Sequence, residues 1–302
     1  MMSRAALILC IGCGSTAAIE PIPIDDAPGP DASSCVPLAG CDWLDGYQRA
    51  IVGKLSGELE ISPGTKLAHR FSDVERDAVR QYLRDELTAL GLSPMRHDYA
   101  TGSNVLATLD ATTGSGGLVI VGAHFDSVAA GPGAADNATG VAITLSAARY
   151  LRDIAVRQHP IVFVLFDEEE LGLYGSKAYA ASLVAAGTEV SAVHVFDMLS
   201  FDGDGDHAVE LWSPSPALQA VYEQHGAIAG TPIQPVTFTR SDHQAFLDLG
   251  FSAVGVGEEF VANDHTPHYH KATDTFDRVS FPHLATVTNL ALVVLEASVG
   301  AP

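Results

Sequence analysis

Cationic side chains are scarce in this chain: its 302 residues hold 16 Lys plus Arg against 37 Asp plus Glu, a formal charge of −21. Phosphate recognition needs cationic side chains, so nucleic acid is excluded as a partner, and cations and amines are the guests such a molecule invites. Cysteine is scarce too. The four cysteines all fall within the first 41 positions, so the rest of the chain has no thiolate for a closed structural zinc site. Beyond the first dozen residues, no apolar run approaches the roughly 20 residues that span a bilayer, and the body reads as water-soluble. With 47% hydrophobic residues and a mean hydropathy of +0.18, it can nonetheless bury one large core.

The N-terminus has Arg4, an apolar run over 5–11, then Gly12-Cys13-Gly14-Ser15. This pattern resembles a short bacterial lipoprotein signal with Cys13 as the lipidated residue. The expected organisation is a signal peptide over 1–12, a tether over 13–40 rich in Pro, Asp, Ala and Ser, and one folded domain over 41–302. The protein is then exported, as a cell-envelope lipoprotein of the outer membrane or periplasm or as a secreted protein, with lipid its only contact with a membrane. Cys10 leaves with the signal. Cys35 and Cys41 remain as an even pair that can bond in an oxidising compartment.

Within the body, apolar positions at helical spacing (Val74, Ala78, Val79, Tyr82, Leu83, Leu87, Leu90) predict a helix from 72 to 90, stopped by Gly91. Strands are predicted at 104–109, 118–121, 161–166, 192–196 and 253–256. Further helices are predicted from about 140 to 151, at 171–186 and at 216–228. Alternation of this kind implies an α/β fold, a three-layer α/β/α sandwich around a mostly parallel, mixed sheet.

Five residues of metal-ligand type punctuate that pattern: His124, Asp136, Glu170, Asp197 and His270, with Glu169 beside the third. Three follow predicted strands, and carboxyl ends of strands are where sites assemble in open α/β sheets. Carboxylates mixed with imidazoles suit a hydrolytic zinc centre. His124 and Asp126, two apart on an extended chain, share a face, so Asp126 can hold the far imidazole nitrogen. Each element alone has a plainer reading. Asp136 or Asn137 could merely cap a helix, Asp167 and Glu170 could form a capping box, and Asn137-Ala-Thr139 fits a glycosylation sequon by accident. Four successive carboxylates, 167–170, after a buried strand are costly unless a cation compensates them. Asp202-Gly-Asp-Gly-Asp206 suggests a calcium loop but carries His207 and Ser213 where an EF-hand needs Gly and Glu, so it reads as a turn.

Taken together, six ordered blocks resemble the co-catalytic di-zinc aminopeptidases of metallopeptidase family 28. They are Ala-His124-Phe-Asp126-Ser-Val, Gly-Pro-Gly-Ala-Ala-Asp136-Asn-Ala-Thr-Gly, Glu169-Glu170-Leu-Gly-Leu-Tyr-Gly-Ser, Phe-Asp197-Met, Arg240-Ser-Asp-His243 and Tyr269-His270-Lys-Ala-Thr-Asp274-Thr. The resemblance implies a zinc-exopeptidase-like fold and two Zn2+ per chain. Asp136 would bridge them, with His124 and Asp197 on one and Glu170 and His270 on the other. It further implies a cis peptide between Asp136 and Asn137 and Glu169 as general base; Tyr269, next to a ligand, is the candidate donor to the tetrahedral oxyanion, with a packing tyrosine as its plainer reading. Asp126 would orient His124, and Asp274 would play a comparable supporting role. Glu168, a third glutamate, leaves the base displaced by one residue if the block is aligned on its acids; alignment on Leu171-Gly172 selects Glu169. The implied substrates are peptides with a free N-terminus, cleaved by a monomer. A single-zinc glutaminyl cyclase of the same fold is the enzymatic alternative, and a non-catalytic binding homologue the remaining one.

Overall fold

A computed structural model describes residues 35–114 and 116–300. The expected signal peptide, Cys13 and the expected tether up to residue 34 lie outside the described residues. Residues 35–40, also assigned above to the tether, do have structure. β1 (Cys35–Val36) and β2 (Gly40–Cys41) pair antiparallel, and a disulfide joins Cys35 to Cys41. Cys35 is buried among core side chains, which fixes this ribbon to the body.

Next come α1 (Leu44–Leu55), α2 (Asp73–Ala89), β3 (Met95–Asp98), β4 (Ser103–Leu109), β5 (Leu118–His124) and α3 (Thr139–Leu151). They are followed by β6 (Ile161–Phe166), α4 (Tyr174–Ala186), β7 (Val190–Asp197), β8 (Val209–Trp212), α5 (Pro216–Ala229), β9 (Ile233–Val236), α6 (His243–Leu247), β10 (Ala253–Gly257) and α7 (Phe281–Ser298). β3 to β10 form one sheet in the order β3-β4-β6-β5-β7-β10-β8-β9. Its centre, β6-β5-β7-β10, is parallel; β4 and β8 run antiparallel to that centre, making the sheet mixed as expected.

Alternation along the central strands explains the layers. Val119, Val121 and Ala123 of β5 and Ile161, Phe163 and Leu165 of β6 face a large cluster shared with α1, α2, α3, α5 and α7. Ile120, Val162 and Val164 face the other way, against Tyr179 and Leu183 of α4 and Phe246 of α6. A period of two delivers side chains to both faces, so strands covered on both sides read as unbroken apolar runs.

Three differences from the expectations bear on the site and the core. α4 begins at Tyr174 rather than 171, because Glu169 and Gly172 form a turn first, with Gly172 and Leu173 at positive φ. β5 runs on to His124, so that histidine is held by the strand itself. The third concerns apolar length: α7, 18 residues with a mean hydropathy of 1.2, meets the length and composition of a membrane span. Here it is a core helix, packed on α3, α5 and α1, with Leu284, Leu290, Leu292, Val294 and Leu295 fully buried.

Candidate metal centre

Because β5, β6 and β7 are parallel and adjacent, their carboxyl ends bring His124, residues 167–170 and Asp197 to one edge. Asp136 arrives on the loop between β5 and α3, and His270 on the long segment between β10 and α7. All five residues of metal-ligand type meet there. His124 Nε2 lies 3.3 Å from Asp136 Oδ1 and 3.3 Å from Asp197 Oδ1. His270 Nε2 lies 3.2 Å from Asp136 Oδ2 and 3.0 Å from Glu170 Oε2. Asp136 thus offers one oxygen to each of two donor triads, His124/Asp136/Asp197 and Asp136/Glu170/His270.

Local structure explains why Asp136 is free to do so. The helix-capping role that it might have filled belongs to Asn137, whose Oδ1 accepts the Gly140 N–H at 2.8 Å and whose amide donates to the Phe196 carbonyl at 2.9 Å. Asn137 is fully buried in these contacts, so the sequon is occupied by structure. Gly140 lets α3 approach β7 this closely: a Cβ there would sit 2.2 Å from the Phe196 oxygen. The Asp136–Asn137 peptide is cis. Asp274 accepts the N–H groups of Ala135 (2.8 Å) and Asp136 (3.1 Å), so it supports the loop rather than an imidazole. Asp126 does two jobs. Its Oδ1 lies 3.3 Å from His124 Nδ1, and its two oxygens accept the N–H groups of Glu169 and Glu170, each at 3.1 Å.

The four carboxylates at 167–170 are compensated differently from the expectation that a cation serves them all. Arg76 and Arg80, from the buried face of α2, pair with Asp167, and Arg76 also reaches Glu168 at 3.1 Å. Thr101 donates to Glu168 as well. Glu168 therefore points at α2, while Glu169 and Glu170 turn towards Asp136.

What remains at the edge is an excess of buried negative charge. Burial and the neighbouring Asp136 push the Glu170 carboxyl up to about 7, and burial pushes Glu169 well above the carboxylate range. Burial alone would lower the His124 imidazole, but the charges of Asp197 and Glu169 and the contacts with Asp126 and Asp136 lift it well above its ordinary value. His270 is held up to about 10: burial pulls it down, and its contacts with Asp136 and Glu170 outweigh that. Protons and a metal ion compete for such lone pairs.

The donor set fits a divalent cation. Asp197 Oδ1 and Glu170 Oε1 are buried without a hydrogen-bond partner. The donor spacings of 3.0–3.3 Å are those of neighbouring ligands around one ion, since ligands bound tetrahedrally at about 2.0–2.2 Å lie a little over 3 Å apart. Beside the triads is a cleft bordered by Glu169, Met198, Trp212, Phe238, Arg240, Phe260 and Tyr269. Gly257, opposite Asp197 in the sheet, leaves room for Trp212, whose ring stands 2.0 Å from where a Cβ would be.

Several residues of this neighbourhood carry no role in the sequence reading. Ser241 donates to Asp197 Oδ2 at 2.7 Å. Asp242 is buried, its carboxyl pushed up to about 7 by burial. Arg70, fully buried, donates to the carbonyls of Leu55, Phe125, Pro132 and Gly133 and so clamps the loop that carries Asp136. One signal was available for Arg76 and Arg80: they lie on the same helical face as Val79, Leu83 and Leu87, where a charged residue needs a buried partner.

This sheet, with carboxylates and imidazoles gathered over its carboxyl edge, is the fold of the zinc aminopeptidases. LapB from Legionella pneumophila superposes with a TM-score of 0.74 at 19% identity, covering 85% of this chain and 72% of that one. The chain belongs to peptidase family M28, which it matches over residues 104–295. A zinc aminopeptidase from Bacillus subtilis superposes with a TM-score of 0.60 at 22% identity, covering 66% and 50%. Glutaminyl cyclase from Porphyromonas gingivalis does so at 0.68 and 18%, covering 84% and 98%. Among curated relatives, a probable lipoprotein aminopeptidase, LpqL, of Mycobacterium tuberculosis is 30% identical over 207 residues, 58% of this chain and 41% of that protein. A probable leucine aminopeptidase 2 of Aspergillus fumigatus is 35% identical over 153 residues, 46% and 30%. The chain thus spans about two-fifths or less of the length of these relatives.

Proposed function

We propose that this protein is a zinc-dependent aminopeptidase that removes N-terminal residues from peptides, using two Zn2+ per chain and Glu169 as general base. The observation that carries this reading is the sharing of Asp136 between two donor triads through different oxygens, with Glu169 on the same cleft. His124 and Asp197 would hold one ion, Glu170 and His270 the other. When bound, the ions act as Lewis acids that polarise the scissile carbonyl and acidify the attacking water.

The chain's own groups supply the rest. Glu169, uncompensated by arginine, takes the water proton and returns it to the leaving amine. Tyr269, on the cleft wall and stacked on His270 at 3.8 Å between ring centroids, donates to the developing oxyanion. Asp126, bonded to the Glu169 and Glu170 backbone and close to His124, sets base and ligand positions together. The acidic surroundings attract the substrate's free α-amine. Met198, Trp212, Phe238 and Phe260 give the otherwise polar cleft an apolar side, which suits a leucine-like N-terminal residue, in keeping with the relatives named leucine aminopeptidases. Export as a lipoprotein or secreted protein and action as a monomer complete the proposal. The Cys35–Cys41 disulfide and the relative named as a lipoprotein support export.

The decisive experiment pairs two neighbouring substitutions. Glu169→Gln should lower kcat by about 10²–10⁴-fold with zinc content unchanged, whereas Glu168→Gln should retain most turnover on leucyl peptides. Equal losses in the two variants would reject Glu169 as the base. Because the same fold carries glutaminyl cyclases, the assay includes N-terminal glutaminyl peptides. Cyclisation by a protein holding one zinc would replace the peptidase reading.

A further inference from the structure

We propose that Asp202, His207 and His283 form a second, separate metal site, for a zinc-class transition-metal ion. They lie on the loop that leaves β7 and on the first turn of α7, away from the Asp136 triads. Asp202 Oδ2 is 2.5 Å from His207 Nδ1, a hydrogen bond that an ion would replace, and 3.9 Å from His283 Nδ1; one ligand atom of each residue lies within 4.8 Å of the others. The other Asp202 oxygen is occupied by the N–H groups of Gly205 (3.0 Å) and His207 (3.4 Å), which fixes Oδ2 towards the two imidazoles.

The observation that points to a ligand is His283. Its side chain is 4% exposed, and its Nδ1 is buried with no hydrogen-bond partner while directed at Asp202. A buried polar atom left unpaired is costly, and a cation on this nitrogen removes the cost. The surroundings are right for a cation. Asp204, Glu259 and Asp264 converge beside Asp202, and among the described residues no lysine or arginine pairs with any of these acids. His207 is 61% exposed and supplies the entrance. Two imidazoles and one carboxylate select zinc or a neighbouring transition metal; calcium would take six to eight oxygens. An ion here would tie the loop from β7 to the start of α7, which already meet where the Ser280 N–H donates to the Ser200 carbonyl at 3.0 Å.

The test uses the full chain stripped with a chelator and titrated with Zn2+ alone, following bound metal per chain and Tm. In a His124→Ala/His270→Ala background, which takes one imidazole from each of the two Asp136 triads, zinc should still bind and raise Tm. Adding His207→Ala should remove one zinc per chain, or weaken it at least tenfold, and abolish that rise. His207 is a surface residue, so this variant decides the matter even if the buried substitution His283→Gln fails to fold. Unchanged stoichiometry and Tm response on adding His207→Ala would overturn the proposal, as would stabilisation by Ca2+ in place of Zn2+. Peptidase activity of the otherwise unaltered chain is read separately, so failure of the first centre and failure of this one are distinguishable.

Discussion

At the scale of single residues, what singles out each group is its neighbour. Asp136 can serve two donor triads because Asn137 caps α3 in its place and Asp274 holds the Asp136 backbone from behind. Glu169 faces the cleft because Glu168, one position earlier, is taken by Arg76 and Thr101. Neither division of labour is visible in a row of acids. Tyr269 was a candidate only through its place beside His270, since a tyrosine beside a histidine has no periodicity to report. Its phenol makes the sharpest residue-level prediction: Tyr269→Phe should cost kcat about 10²–10³-fold, the effect of losing one oxyanion donor, with little change in KM. Steady-state kinetics on a leucyl substrate would check it, and a pure KM effect would reassign Tyr269 to substrate binding.

Elements, unlike residues, were read well wherever their pattern was strong and badly where it was not. β6 was predicted at its observed bounds because six consecutive apolar residues can only be a strand buried on both faces, given its length and flanks. β3 and β9 were missed: β3 is an exposed edge strand, and β9 contains Pro235, which edge strands tolerate. β8 was missed because Glu210 interrupts it. That carboxylate is buried, accepting the N–H groups of Val261 and Ala262 and the Trp212 indole N–H. α7 escaped because so much of it is apolar that no amphipathic stripe stands out. The link between α2 and β6 is where an element-level prediction falls. Arg80→Ala leaves Asp167 buried with half its compensation gone, and should destabilise the fold by about 3–5 kcal/mol in denaturant unfolding. Adding Asp167→Asn should recover part of that loss; no recovery would place the effect of Arg80 in packing instead.

For the whole molecule, pH dependence follows from two buried histidines, one in the sheet and one on α6. His194 of β7 is fully buried beside Tyr222, and burial lowers it to about 3; burial likewise lowers His243 to about 4. A folded-state value below the unfolded one means that the unfolded chain binds the proton first. Stability is then present above about pH 6.5 and is lost as pH falls towards 3. At pH 4.5, two units below its ordinary value, His194 alone should cost about 3 kcal/mol relative to neutral pH. Urea unfolding of the metal-free protein across this range should show a shallower acid decline for His194→Phe than for the parent. Parallel curves would mean that the imidazole is already solvated in the folded state. The acidic excess of the chain acts in addition, favouring capture of cations over the whole surface.

Local pattern was enough to give the class of fold and the candidates for the site. Two-residue and 3.6-residue periodicities are local properties of the chain, and the residue types able to bind a divalent ion can be named without coordinates. Packing settled which carboxylates are neutralised by arginine and which face the cleft, that Asp274 serves a loop, and that an acidic turn lies against a buried histidine from α7. Those outcomes depend on contacts between residues far apart in the chain, where charge, burial and distance are set by packing and by no local pattern.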